Sequence, residues 1–223
     1  TATITVTSSF TNGGITCTGA TSTFTITVNP TAVVNQPANQ LVCNGATTSS
    51  VVFSGLPPGS TYNWTNSNTA IGLGASGTGN IPAFTATNTT AAPITATITV
   101  TPTSTGCGGL PVSFTITVNP TPQVDQPADQ TVCNGTMTAP VNFTSTVAGT
   151  VFNWTNNTPS IGLAASGTGN IAAFTATNAT TLPVTGTITV TPSINNPTSG
   201  VSTSGFLNNN SNALVTFNFR NTN

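Results

Sequence analysis

A unit of 90 residues recurs along this 223-residue chain, so whatever fold the unit adopts must be able to stand beside a copy of itself. Cys43-Asn44-Gly45 returns as Cys133-Asn134-Gly135, and Asn63-Trp64-Thr65 returns as Asn153-Trp154-Thr155. Ser76-Gly77-Thr78-Gly79-Asn80-Ile81 returns as Ser166-Gly167-Thr168-Gly169-Asn170-Ile171. At the same spacing Phe24 to Pro30 matches Phe114 to Pro120, so the tail of another copy precedes the two longer ones. Proline in Asn29-Pro30-Thr31 and Asn119-Pro120-Thr121 ends ladder pairing and stiffens a short link, which marks the joints. The expected organisation is the C-terminal strands of a partial module over 1–30, a β-sandwich module over 31–120, and another over 121–223. That last module diverges after Pro192 into an Asn/Ser/Gly-rich loop, and Ala213 to Phe219 is expected to form a terminal or capping strand.

Period-two alternation of β-branched or aromatic residues with polar ones places strands in the last module. They are expected around Gln123–Val132 (interrupted at Pro127), Val141–Val147, Thr150–Thr155, Ile161–Ala165, Ala173–Thr177, Val184–Val190 and Ala213–Phe219. No segment carries the 3.6-residue period of a helix. Seven short strands separated by Gly, Asn and Pro predict an all-β fold, a tandem array of immunoglobulin-like β-sandwich modules. Trp64 and Trp154 fall on the third strand of their modules as core tryptophans.

Charge is nearly absent, and that narrows function. Arg220 is the lone basic side chain, Asp125 and Asp129 are the acidic ones, and there is no histidine. General acid–base catalysis needs positioned titratable groups, so an enzyme is not expected. Nucleic-acid binding needs several cations to neutralise phosphates, and it is excluded on the same ground. No apolar run reaches the roughly 20 residues that span a bilayer. A hydrophobic share of 36% with mean hydropathy +0.15 still argues for a folded chain. The chain starts without Met or a signal-like segment, and reads as part of something longer, placed outside the cell and secreted or attached to a surface.

Four segments carry a family likeness: Asp129-Gln130-Thr131-Val132-Cys133-Asn134-Gly135, Phe152-Asn153-Trp154-Thr155-Asn156, Ile161 to Gly169, and Phe114 to Pro120. Through them, over roughly residues 1–192, the chain resembles the PKD-like, immunoglobulin-type repeats that occur in tandem arrays in very large surface adhesins of gliding and related bacteria. The resemblance implies stalks or filaments on the outer surface. From Ser193 onward the likeness fails.

The cysteines are disulfide candidates: Cys17, Cys43, Cys107 and Cys133. Cys17 and Cys43 lie 13 residues either side of Pro30, as Cys107 and Cys133 do of Pro120, so both pairs close if the chain doubles back at the joints. The intramodule pair Cys43–Cys107 is a second possibility, although sandwich topology puts the two at opposite ends, and a disulfide needs Cα atoms within about 7 Å. Free or intermolecular thiols are the third. Zinc is not expected without CxxC pairs or histidine, and no cofactor is.

Asp125 and Asp129 correspond to Asn35 and Asn39 one unit earlier, so they read as solvated turn residues and not as a calcium or glycosidase pair. The Ser-Gly-Thr-Gly-Asn segments read as turns or bulges, since neither a helix nor a lysine follows. Rows of threonine predict hydroxyl contacts between strands. Glycosylation candidates by sequon are Asn63, Asn88, Asn134, Asn142, Asn153, Asn156, Asn178 and Asn209.

The leading reading is a non-catalytic structural repeat of an extracellular bacterial stalk, filament or adhesin, whose partners are copies of itself or neighbouring modules. The alternative is a glycan- or surface-binding adhesin module, with Tyr62 beside Trp64 as the sugar-stacking candidate. Residues 1–30 supply two strands, marginal alone, so they are expected to pack on a preceding module or to complement a neighbouring subunit.

Overall fold

The structure is a computed structural model, and it describes residues 1–194 and 215–222. A hairpin leads, made of β1 (Ala2–Asn12) and β2 (Ile15–Ile26) around a Gly13-Gly14 turn. Next come β3 (Val33–Val34), β4 (Gln40–Cys43), β5 (Gly55–Leu56), β6 (Thr61–Asn66), β7 (Ser76–Thr78), β8 (Ile94–Ser104), β9 (Cys107–Gly108) and β10 (Val112–Asn119). The remainder holds β11 (Gln130–Cys133), β12 (Thr150–Asn156), β13 (Ser166–Thr168), β14 (Val184–Ile194) and β15 (Val215–Thr222). The chain is an all-β protein of β-sandwich class.

One sheet runs β4-β10-β8-β6-β7, and a second runs β11-β15-β14-β12-β13 in the same order. Within each sheet the last strand pairs antiparallel with the long central strand and parallel with the first: Gln40 to Cys43 on Ile116 to Asn119, and Gln130 to Cys133 on Phe219 to Thr222. Alternation of Thr with Ile, Val and Phe puts one face of these strands inside. Ala96, Ile98, Val100, Ile116 and Val118 of the first sheet are fully buried, as Ile188 and Val190 of the second are. Opposite them, Val34, Phe53, Ile71 and Ile81 complete one core, and Val124, Phe143, Ile161 and Ile171 complete the other. The outward threonines pair across strands, as in Thr95 Oγ1 to Thr117 Oγ1 at 2.9 Å.

The layer facing each sheet differs from the expected strands. Around Val141–Val147 and Ala173–Thr177 there are single bridges, Val141 to Ile171 and Met137 to Thr175. Side chains take over the ladder bonds there: Asn170 Oδ1 accepts the Phe143 N–H at 2.9 Å, and Thr138 Oγ1 accepts the Phe174 N–H at 3.1 Å. Ile161–Ala165 is not a strand either. Pro159–Ile161 is a 3₁₀ turn closed by Gly162 at φ 98°, and the strand that follows is Ser166–Thr168. The Gln123–Val132 segment is a ladder strand only over Gln130–Cys133, and Ala213 lies outside the described residues.

Both tryptophans lie in the cores as expected, each 7% exposed. Each indole lies on a glycine of the Ser-Gly-Thr-Gly motif, because β7 and β13 pair alongside Trp64 and Trp154 at Gly77 and Gly167.

Candidate interaction surface

Every residue from Thr1 to Thr31 is exposed, so β1 and β2 contact no core among the described residues. Their register nevertheless repeats that of β8 and β10. Ala2 faces Ile26 as Ala96 faces Ile116, Ile4 faces Phe24 as Ile98 faces Phe114, and Val6 faces Ser22 as Val100 faces Val112. Towards the tip, Phe10 faces Cys17 as Ser104 faces Cys107. On the polar face, Thr1 Oγ1 meets Thr27 Oγ1 at 3.0 Å, as Thr95 meets Thr117. The β2 half of this match is visible in the sequence. The β1 half is hidden because the hairpin tip is longer than the Thr105-Gly106 turn of the sandwich.

Successive sandwiches meet end to end. Ala32 enters the first against Gly109, and the chain climbs to Cys43 and leaves at Asn119 beside it. Asn44 Nδ2 there donates to Thr121 Oγ1 at 3.0 Å, and a polar groove between Asn44, Asn88, Gln123 and Thr146 lines the joint. Asn119 in this joint is 5% exposed, and its Oδ1 has no hydrogen-bond partner among the described residues. On the hairpin side, Asn29 Nδ2 donates to Thr105 O at 3.2 Å.

The path through the joints overturns the expected disulfides. All four thiols are free: Cys17 lies near the hairpin tip, Cys43 and Cys133 end β4 and β11, and Cys107 opens β9. Since the chain continues instead of doubling back, Cys17 and Cys43 run away from their joint in opposite directions, as do Cys107 and Cys133. The nine residue steps of β2 from Cys17 to Ile26 alone span about 30 Å. Cys43 and Cys107 sit at opposite ends of β10, separated by more than about 20 Å, which is far beyond disulfide reach. Burial pushes the Cys43 thiol up from its ordinary pKa of 9.0.

Three glycosylation candidates are structural instead. Asn88 is 3% exposed and donates Nδ2 to Ala92 O at 2.9 Å and to Val118 O at 2.8 Å. Asn178 donates to Leu182 O, and Asn156 to Leu163 O and Ala164 O, and both side chains are buried. A glycan has no access to these amides. Asn63, Asn134, Asn142 and Asn153 are exposed, and Asn209 lies outside the described residues.

Other motifs resolve into scaffold. Cys-Asn-Gly forms a turn in which Asn44 Oδ1 accepts the Asn88 N–H at 2.8 Å and Asn134 Oδ1 accepts that of Asn178 at 2.9 Å. Asp129 Oδ1 accepts the Asn218 N–H at 2.7 Å, as Asn39 Oδ1 accepts the Thr115 N–H at 2.8 Å, so the carboxylate does the work of its amide counterpart. Asp125 Oδ2 accepts from Thr144 Oγ1. Tyr62 packs on Phe53 with ring centroids 5.7 Å apart and is partly buried against the first core. Among the described residues no helix is long and apolar enough to cross a membrane.

Sheet order, paired cores and end-to-end joints define an immunoglobulin-type β-sandwich protein. Residues 40–122 match the family model of the PKD-like domain. Among solved structures, the chain is similar to the two immunoglobulin domains of DIP-gamma, at 10% identity over 86% of this chain and 97% of that one, with TM-score 0.46. It is also similar to EC1-2 of human mucin-like protocadherin, at 12% identity over 86% and 97% of the two chains, with TM-score 0.40. Drosophila N-cadherin EC1-4 is similar at 12% identity over 87% of this chain and 50% of that one, with TM-score 0.45. No curated protein matches the sequence.

Proposed function

We propose that this chain is a non-catalytic structural section of an extracellular bacterial stalk, filament or adhesin, built by stacking PKD-like sandwiches end to end. One observation carries the reading: the chain enters the first sandwich at Ala32, against Gly109, and leaves it at the opposite end beside Asn44, where Asn44 reaches Thr121 of the next. Such a unit adds length with each copy and needs no other element. The near-absence of charge supports it, because neutral faces lie beside copies of themselves without repulsion. Location outside the cell and the adhesin context belong to this proposal. Electron microscopy of the native material should show beads at a regular axial spacing. A compact, strictly monomeric particle without periodicity would sink the idea.

A further inference from the structure

The strand pair β8–β10 is observed seated in its sandwich, and it therefore shows what a pair of this register is built to meet. Along one edge β8 takes β6, with Trp64 opposite Val100 and Asn66 opposite Ile98. Along the other, β10 takes β4 in parallel. The inner row, Ile98, Val100, Phe114, Ile116 and Val118, is at most 1% exposed beneath Val34, Phe53, Ile71 and Ile81.

The hairpin presents the same row uncovered. Ile4 is 38% exposed, Val6 and Phe24 53%, Ile26 51% and Val28 83%. Both outer edges are free of strand partners among the described residues. A two-stranded hairpin with a bare apolar face is marginal in water, and a contiguous apolar face of this kind marks a binding surface.

We infer that residues 1–30 are the closing strand pair of a further sandwich. The occupant of their open face is the body of another module of this same repeat, a polypeptide related to residues 31–94 that lacks its own last two strands. The first sandwich is the template for the fit: the counterpart of β6 lies along β1 with its tryptophan opposite Val6, and the counterpart of β4 lies parallel to β2. Small Ala2 sits where Ala96 admits the opposing layer. The inference rests on the end-to-end reading above and names the contact that would continue it.

Because Thr1 stands where Thr95 does, placing residues 31–94 directly before Thr1 restores the order of a complete module. Hydrogen exchange is then compared between this fusion and the chain 1–223. Outer-edge amides of β1 and β2 should exchange at least about a hundredfold more slowly in the fusion, as ladder amides of a folded unit do. The double substitution Ile4→Asp, Phe24→Asp should abolish that protection and leave exchange in β8 and β14 unchanged. A control in which residues 95–120 close the added body, in place of 1–30, establishes that the body folds at that position. Protection in the control with none in the hairpin fusion overturns the inference, and so does protection that survives the double substitution. If the fusion fails while native material still shows regular beads, the array stands and the hairpin contact falls.

Discussion

Gly77 lies so close under the Trp64 indole that a Cβ at this position would come within 2.3 Å of Cζ2, and Gly167 repeats the relationship with Trp154 at 2.2 Å. Real Cβ contacts do not approach this distance, so the ring and β7 fit only with glycine between them. Gly77→Ala should therefore destabilise the first sandwich by about 1–3 kcal/mol through overpacking. Urea unfolding monitored by far-ultraviolet circular dichroism checks it, and Trp64→Phe in the same chain should recover part of the loss, a non-additivity expected of touching residues.

Asn88 holds a loop to the end of β10 with both amide hydrogens, while its Oδ1 accepts the Thr90 N–H at 2.9 Å. Asn88→Ala strands buried carbonyls and should cost about 2–3 kcal/mol. Thermal unfolding reads the cost, and peptide mass spectrometry of the native protein should find Asn88, Asn156 and Asn178 bare of sugar.

Thr121→Val keeps the shape of the side chain and removes the hydroxyl that receives Asn44 Nδ2 across the joint. Each sandwich should keep its stability, with the joint weaker by about 0.5–1.5 kcal/mol. Small-angle X-ray scattering should show a broader distribution of interdomain distances. An unchanged profile would remove this contact from the determinants of the joint.

In the second sandwich Gly186 faces Phe219 where the first has Ala96 facing Ile116. A Cβ on Gly186 would meet Ile161 Cδ1 at 2.5 Å, so Gly186→Ala alone should destabilise, by about 1–2 kcal/mol. Adding Phe219→Ile recreates the pair of the first sandwich and should return part of that loss in denaturant unfolding.

Burial holds the Cys43 thiol protonated above the usual range. The folded state thus favours the neutral form, so the associated stability is complete below the ordinary thiol pKa of 9.0 and is lost as pH rises through the raised folded value. Alkylation of Cys43 by iodoacetamide should accordingly need more alkaline conditions in the folded chain than in urea, and the unfolding midpoint of Cys43→Ser should fall less than wild type between pH 7 and pH 10.

The central strands were legible because Ile, Val and Phe alternate with Thr through β8, β10 and β14, and burial follows that alternation residue by residue. Trp64 and Trp154 were legible for the same reason. The opposing layer was not, since its N–H groups bond Asn170 and Thr138 side chains, and an apolar-polar pattern carries no trace of such substitutions. The cysteine pairing misled because equal spacing about Pro30 and Pro120 says nothing about chain direction. Sequons misled because Asn88 and Asn178 spend their amides on carbonyls only the fold brings near. In the hairpin, the longer tip around Gly13-Gly14 shifts β1 out of the 90-residue spacing, so its kinship with β8 emerges from register alone.

The parallel ladder of β4 on β10 also decides how such a chain bears load. Tension along a stack enters the first sandwich near Ala32 and leaves at Asn119, and it drags β4 and β10 past one another. The rungs from Gln40–Ile116 to Cys43–Asn119 are then sheared together instead of peeled singly, and β11 on β15 repeats the arrangement. What resists is backbone hydrogen bonding, and among the described residues no ionic contact is there to be screened by salt. A rope of these units would hold equally well in fresh water and in brine.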